Sequence, residues 1–190
     1  MNQPYVQDKT FANTDFSRNP LPIADYDHCV FTDCDFSNAI LSGMSFFDCQ
    51  FSGCNLSLAK LVKTSFNAVK FNDCKMLGLL FSDCNKLGFT VSFDNCTLDH
   101  SSFYQTKPKK TTFKNSKLHQ VDFGECDLTA SIFLNCDFHK AGFDRAILEK
   151  ADFRTSFNYS IDPNTNRIKK AKFSLAGLPG LLDRYGIIIE

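Results

Sequence analysis

Large apolar residues recur at every fifth position along most of the chain. From Phe11 to Phe81 all fifteen positions of this series are apolar, and the series resumes at Phe93 after a shift of two residues within 82–92. It then runs to Phe153, and Pro108 is the one position in this part of the series that is not a Phe or Leu. A period of five matches neither the 3.6 residues per turn of a helix nor the period of 2 of a strand. The pattern therefore predicts a repeated structural unit of another kind.

A small residue stands two places before most of the large ones, as Cys34 does before Phe36 and Cys49 before Phe51. Residues two apart in a strand point to the same side, and the other three residues of each unit are enough to turn a corner. Small and large side chains are thus expected to alternate around a narrow interior. The cysteines are interpreted as small buried fillers of that interior.

A spacing of twenty residues gives the clearest columns of like residues, such as Phe31, Phe51 and Phe71. Four units would then complete one coil, and successive coils would lie about 4.8 Å apart, as neighbouring strands do. Residues 11–173 predict about eight coils and a rod of roughly 38 Å. The expected fold is an all-β, four-sided solenoid over residues 1–173, with a register slip at 82–92.

Composition narrows the class of protein. The chain has 21 Phe and no Trp, which agrees with a Phe-filled interior, and an odd number of cysteines, nine. The N-terminal sequence has neither the basic nor the apolar part of an export signal, and no apolar run approaches the roughly 18 residues of a membrane span. We expect a cytoplasmic protein with free thiols.

Net charge is zero, but the acids are concentrated near the N-terminus. Between residues 15 and 59 the only base is Arg18. The local charge density approaches that of duplex DNA, which carries about one negative charge per 1.7 Å. The two interpretations are a partner-binding acidic face and a solvated face without a partner. The acids concerned are Asp15, Asp25, Asp27, Asp33, Asp35 and Asp48.

Residues 104–112 form the second candidate surface. Pro108 cannot donate to a backbone ladder, so this side of the coil is expected to bulge outward as a loop. The loop would be either a contact site or simply solvated. Its candidate contact residues are Tyr104, Lys107, Pro108, Lys109 and Lys110.

The repeat ends before residues 174–190, where apolar residues fall at helical spacing and are followed by a short β-branched run. This pattern predicts a helix and a short strand that cap the last coil. The cap either covers one monomer or pairs with its twin in a homodimer, which we favour. The candidate dimerisation residues are Leu178, Leu181, Leu182, Tyr185, Ile187 and Ile189.

Patterns typical of enzymes are missing from the sequence: CxxC, HxxxH, GxSxG and Gly-rich phosphate loops do not occur. The cysteines are spaced for packing, and the four histidines follow inward residues by one or two places. We therefore expect no catalytic residue, no metal, no cofactor and no small-molecule substrate.

The units, of the type A/C-D/N-L/F-X-X, resemble the pentapeptide-repeat family over nearly the whole chain. Three stretches are closer to the Qnr quinolone-resistance proteins and the albicidin and microcin B17 immunity proteins. They are "CNLSLAKLVKTSF…VKFNDCKMLG" (54–78), "SFDNCTLDHSSFY" (92–104) and "IDPNTNRIKKAKFSLAGLPGLLDRYGIIIE" (161–190). A smaller, earlier loop of the Qnr proteins is not expected here, since residues 46–61 keep the strict repeat.

The resemblance implies a right-handed quadrilateral β-helix that forms a homodimer through its C-terminus. It also implies a bacterial protein that binds DNA gyrase or topoisomerase IV, partly by DNA mimicry, and protects the enzyme from quinolone-like or peptide poisons. Such a protein has no direct contact with nucleic acid or membrane. The alternative is a scaffold of the same fold that binds an unrelated protein.

Overall fold

Backbone pairing joins each segment of the chain to the one about twenty residues further along. Within residues 3–188, which the computed structural model describes, eleven strands of three or four residues pair in parallel. They are β1 (Tyr5–Gln7), β2 (Thr10–Ala12), β3 (Asp25–Asp27), β4 (Val30–Thr32), β5 (Ser45–Phe47), β6 (Gln50–Ser52), β7 (Ser65–Asn67), β8 (Val69–Asn72), β9 (Val91–Asp94), β10 (Thr112–Lys114) and β11 (Ile132–Leu134).

The pairing defines four walls, which we call A to D in the order in which the chain meets them. Wall A contains the sheet β1-β3-β5-β7, and wall B contains β2-β4-β6-β8-β9-β10-β11. Walls C and D are held by single bridges, such as Asp15↔Asp35 on wall C and Ser102↔Asp122 on wall D. The predicted all-β, four-sided solenoid is thus confirmed.

The regular sheet spans slightly fewer coils than the eight expected. The seven strands of wall B make six coil-to-coil steps in one continuous sheet. The bridges Ile132↔Asp152 and Asp152↔Lys172 extend the same wall by two further steps without forming strands. The regular sheet is therefore shorter than the column of aromatic residues that it encloses.

The interior is filled by the large and small residues of the repeat. Phe31, Phe51 and Phe71 are fully buried and stack coil upon coil, and each buried ring contributes about 1.5–3 kcal/mol. The nine cysteines are free and buried between them. The Cys54 thiol, for example, donates to the Phe31 carbonyl at 3.4 Å, so the weakly polar Sγ is satisfied.

The register between coils changes once. Most partners lie twenty residues apart, but Val69 pairs with Val91 and Phe71 with Phe93, twenty-two residues apart. A single 3-10 turn, Phe81–Asp83, precedes the extra residues. Wall A is interrupted at this level, while wall B continues without a break.

The expected outward bulge at Pro108 does not form. The side chain of Pro108 is buried in the inward position of the repeat, between buried Thr106 and Thr111. Proline still costs one ladder hydrogen bond because it has no N–H, and the Lys109 N–H instead donates to the Lys107 carbonyl at 2.9 Å. The ring is compact and apolar enough to replace a Phe, so residues 104–112 keep the five-residue spacing.

The solenoid ends in a short helical segment. Two 3-10 turns, Leu175–Gly177 and Asp183–Tyr185, flank the single α-turn α1 (Pro179–Leu182). The short strand expected at 187–189 is not formed at residues 187 and 188, because a strand needs a partner to hydrogen-bond with. Ile189 lies outside the described residues.

Candidate partner-binding surfaces

The six acids predicted near the N-terminus are distributed around the coil. Asp25 and Asp27 lie on wall A, whereas Asp15 and Asp35 lie on wall C, where a bridge pairs them. The remaining two, Asp33 and Asp48, occupy corners with positive φ. Walls A and C are not adjacent in a four-sided coil. The six acids therefore form a belt around the first coils, which we call the acidic belt, and not a single acidic wall.

Asp27 is held in place by two neighbouring side chains. It accepts hydrogen bonds from the Tyr5 hydroxyl at 2.5 Å and from His28 Nδ1 at 2.8 Å. The Tyr5 bond is the main reason that the pKa of Asp27 is lowered, and it raises the pKa of Tyr5 to about 12. The pKa of His28 is raised in turn, chiefly by its hydrogen bond to Asp27, with Asp48 and Asp8 adding to the effect.

Asp27, His28 and Asp48 also place one ligand atom each within 4.8 Å of one another. This is the only such group of potential metal ligands within residues 3–188. Asp27 and His28 are paired with each other, and Asp48 is exposed at the corner. We interpret it as an electrostatic cluster at the corner between walls A and B.

The carboxylates of wall C are fixed by local hydrogen bonds. Asp15 accepts from the Ser17 hydroxyl at 2.5 Å and from the Arg18 N–H at 3.2 Å, and the Ser17 bond is the main reason that its pKa is lowered. Asp35 accepts from the Ser37 N–H at 2.8 Å and from Asn55 Nδ2 at 3.3 Å. Such bonds hold the charges in defined positions on the surface.

Residues 104–112 present their polar side chains without projecting. Tyr104 is 38% exposed and donates its hydroxyl to Glu125 at 3.2 Å. Lys109 pairs with Asp127 at 2.9 Å. Burial opposes the charge of Asp127, but hydrogen bonds from Thr129 and Lys109 leave its pKa lowered. Lys107 and Lys110 are exposed.

The segment that does project is 85–88, which sequence reasoning located only as a register slip. Leu87 at its tip is 94% exposed. The Asn85 side chain anchors one end by donating to the Lys63 carbonyl at 3.0 Å, and the Thr90 hydroxyl anchors the other by accepting from the Ala68 N–H at 2.7 Å. In the sequence this loop is indicated only by the two-residue slip of the repeat around "NKLG".

The C-terminal residues form an apolar end surface. Leu181 packs partly against the core, whereas Leu178, Tyr185 and Ile187 are 40%, 57% and 55% exposed. Leu182 is half-buried. Arg184 fixes the segment to the last coil through Asp162 at 3.0 Å. The end surface is thus apolar and anchored, and no other part of residues 3–188 covers it.

The close contact between this segment and the last coil depends on glycine. A Cβ at Gly180 would clash with the backbone carbonyl and ring of Tyr159, and the Gly180 carbonyl accepts from the Ile161 N–H at 2.8 Å. A cavity of about 310 Å³ remains beside this contact, lined by uncharged residues that include Ser156, Asn158 and Ser174. It lies at the opposite end of the rod from the acidic belt.

Of the remaining histidines, His119 takes part in surface ion pairs. His119 Nε2 lies 2.8 Å from Asp137, and His119 Nδ1 lies 3.7 Å from Asp99. None of the helices in the described chain has the length and apolar character needed to cross a membrane. The described surface offers charge recognition by carboxylates and lysines, and apolar contact at Leu87, on and beside wall D, and at the C-terminal end.

Comparison with known proteins identifies the repeat. Residues 89–158 match the family model described as "Pentapeptide repeat region", and residues 49–85 match that described as "Pentapeptide repeats (8 copies)". No curated protein sequence matches the chain.

Among solved structures, trypsin-treated QnrB1, a plasmid-mediated fluoroquinolone resistance protein, superposes with a TM-score of 0.63. It is 18% identical, and the match covers 95% of this chain and 98% of that one. HetL from the cyanobacterium Nostoc sp. strain PCC 7120, a pentapeptide-repeat protein involved in heterocyst differentiation regulation, gives a TM-score of 0.48. It is 16% identical, with 90% of this chain and 88% of that one covered.

Proposed function

The chain belongs to the pentapeptide-repeat family, and from this premise we propose that it is a non-enzymatic cytoplasmic protein that protects a type II DNA topoisomerase. The enzyme would be DNA gyrase, and the poison a quinolone-like compound or a peptide. Binding would occur partly by DNA mimicry, with the acid-rich coils in the place of duplex DNA. The solenoid would act as a homodimer joined at its C-terminal ends.

The observation that carries this proposal is the acidic belt. Six Asp and one Arg lie within residues 15–59, or just over two coils, which span roughly 11 Å at the spacing of paired strands. Duplex DNA carries about six charges over that length. Local hydrogen bonds and ion pairing lower the pKa values of Asp15 and Asp27, so both remain ionised at neutral pH.

The shape of the molecule supports the same proposal. QnrB1, whose fold this chain shares over nearly its whole length, is a fluoroquinolone resistance protein. A narrow rod with acids at one end could occupy the DNA-binding saddle of a topoisomerase. The exposed Leu87 and the basic residues Lys107 and Lys110 would then make side contacts.

A second candidate is a scaffold that binds an unrelated protein. It is favoured by an exposed apolar group on and beside wall D, which a DNA mimic does not need. Ile40, Leu58 and Leu80 there are 66%, 53% and 47% exposed. The basic C-terminal half of the rod also departs from DNA-like charge.

Gyrase supercoiling with and without ciprofloxacin, titrated with the purified protein, tests the first proposal. We expect supercoiling under the drug to recover as protein is added. The variant Asp15→Lys/Asp33→Lys/Asp35→Lys should lose both the recovery and the binding to gyrase while keeping its fold. The matched control, Asp83→Lys/Asp144→Lys/Asp183→Lys, changes the charge equally outside the belt and should retain both.

If the unmodified protein neither binds gyrase nor changes either reaction, the topoisomerase proposal is wrong. If it protects gyrase and both triple variants protect equally, the acidic belt is not the contact. The scaffold proposal would be supported if the chain captures a different protein and the variant Leu58→Asp/Leu80→Asp, on and beside wall D, abolishes that capture.

A further inference from the structure

Wall A carries opposite charge in its two halves. In the first half, segments 5–8, 25–28, 45–48 and 65–68 contain four Asp and no Lys or Arg. In the second half, segments 107–110, 127–130, 147–150 and 167–170 contain seven Lys or Arg and two acids. The molecule as a whole has no net charge, so its net charge does not reveal this separation.

The backbone shows that the two halves belong to the same wall. Each of these segments lies directly before a segment of wall B, and wall B is continuous from β2 to β11. The corner that follows each segment bonds to the next coil in the same way in both halves: the Asp8 N–H donates to the Asp27 carbonyl at 3.0 Å, and the Lys150 N–H donates to the Lys169 carbonyl at 3.0 Å. Wall A is thus acidic toward the N-terminal end of the rod and basic toward its C-terminal end.

The basic half keeps free charge after its internal pairs are made. Its acids are neutralised on the wall itself, Asp127 by Lys109 and Glu149 by Arg167. The three corner lysines take part in no ion pair within 4.0 Å among residues 3–188. They are Lys110, Lys150 and Lys170, and all are exposed.

An exposed apolar residue lies between the halves. The loop 85–88 interrupts wall A, and Leu87 at its tip is 94% exposed. The Asn85 N–H donates to the Thr64 carbonyl at 2.9 Å and the Thr90 N–H to the Phe66 carbonyl at 3.0 Å, so the loop is seated over the last segment of the acidic half. Protein–protein interfaces commonly have an apolar centre surrounded by a polar rim, and Leu87 between two charged halves matches that layout.

We propose that wall A is a self-complementary surface on which a second copy of this chain packs antiparallel. In a two-fold symmetric pair the same patch serves both partners. The acidic half of each rod then faces the basic half of the other, and the two Leu87 side chains approach each other near the axis. The pairing uses the side of the rod and is separate from the C-terminal end surface.

The size and chemistry of the wall set the expected behaviour. One of four walls offers roughly a quarter of the 9938 Å² of accessible surface, and a specific interface needs about 800 Å² from each partner. The area is therefore sufficient. The contact depends on exposed charges, which salt screens over about 8 Å at physiological ionic strength, so pairing weakens as salt rises.

Sedimentation of the full chain at low salt and at about 0.5 M NaCl tests the proposal. We expect the mass at low salt to be at least twice that at high salt. Two charge-reversed variants should each stay at the high-salt mass: Asp8→Lys/Asp25→Lys/Asp48→Lys, whose wall A has a net positive charge in both halves, and Lys110→Glu/Lys150→Glu/Lys170→Glu, whose wall A has a net negative charge in both halves. Mixing the two should restore the higher mass.

The corner positions tolerate these changes. Lys110 and Glu125 already occupy corners with φ of 58° and 53°, so neither Lys nor Glu introduces a new backbone conformation. Two variants with the same change of charge on other walls, Asp15→Lys/Asp33→Lys/Asp35→Lys and Lys60→Glu/Lys117→Glu/Lys140→Glu, should pair as the unmodified chain does.

A mass that is independent of salt overturns the proposal, as does a mixture of the two wall A variants that fails to associate. A third result would also overturn it. In that case Lys110→Glu/Lys150→Glu/Lys170→Glu would abolish retention of the chain on heparin but leave the association of the chain with itself unchanged. Wall A would then be a polyanion site. Leu87→Asp should reduce the low-salt mass without changing the melting temperature.

Discussion

Phe31 and Phe51, twenty residues apart in sequence, stack face to face in the interior with ring centroids 4.6 Å apart and planes inclined by 10°. Both rings are fully buried. The same relation links Phe51 to Phe71 at 5.1 Å and, at the far end, Phe153 to Phe173 at 5.4 Å. Each ring is thus supported from the coil above and the coil below.

Removal of one ring from this stack should be costly. Phe51→Ala is expected to reduce the free energy of unfolding by about 3–5 kcal/mol, because it leaves a cavity between two stacked rings. Phe51→Asp should prevent folding, since a carboxylate would be buried without a partner. Urea denaturation followed by circular dichroism measures both. Phe47→Ala, on the same coil but 36% exposed, is the matched control and should cost much less; equal losses would contradict the stacked core.

The nine cysteines should be inert in the folded protein. All are buried and free, and burial is the main cause that raises the pKa of Cys49 to about 12 and that of Cys126 to about 12. The thiolate is the reactive form, so a thiol reagent at pH 8 should label the native chain slowly and label nine thiols after denaturation. Rapid native labelling of several thiols would argue against the packed interior.

His28 should titrate above the ordinary histidine value. Its pKa is raised from 6.5 by the hydrogen bond and charge of Asp27. The stabilisation from this pair is therefore complete below pH 6.5 and is lost as the pH rises through the higher pKa of the folded state. An NMR titration of the His28 ring should give a midpoint above 6.5 that falls toward 6.5 in Asp27→Asn. Asp33→Asn, at a different corner, should leave the midpoint unchanged.

The C-terminal end should determine the salt-resistant oligomeric state. Ile187 and Tyr185 are more than half exposed on an apolar surface, and we expect Tyr185→Glu/Ile187→Asp to convert a dimer to a monomer. Light scattering after size exclusion at about 0.5 M NaCl, where charge pairing is screened, measures the mass. Ile132→Asp, a similar change on wall B, should remain dimeric. A monomeric unmodified chain under these conditions would contradict the head-to-head homodimer.

Much of this architecture could be predicted from the sequence because the five-residue repeat is visible in the order of apolar residues. Each large residue of the period, from Phe31 to Phe153, is buried where the pattern places it, and the spacing of twenty gives the partners, as in Phe31↔Phe51. Both follow from local geometry, since every unit solves the same packing problem.

Pro108 shows where local rules were insufficient. Its missing N–H predicted an outward bulge, but the apolar ring fits the interior in place of a Phe, and burial outweighs one lost ladder bond. The loop that does project, at Leu87, appeared in the sequence only as a two-residue slip. Whether extra residues enter the interior or leave it depends on the neighbouring coil, here on Asn85 and Thr90 bonding to the coil below.

The sequence by itself determined the period, the inward residues, the four-sided solenoid and the place where the repeat ends, because these depend on which residues are apolar and how far apart they stand. Only the tertiary structure decided how the outward residues are grouped. Asp15 and Asp27 lie twelve residues apart in the sequence but on non-adjacent walls, whereas Asp27, His28 and Asp48, which lie up to 21 residues apart in the sequence, meet at one corner. The reason is that a surface on a solenoid is assembled across coils, so its charge pattern is set by stacking in space.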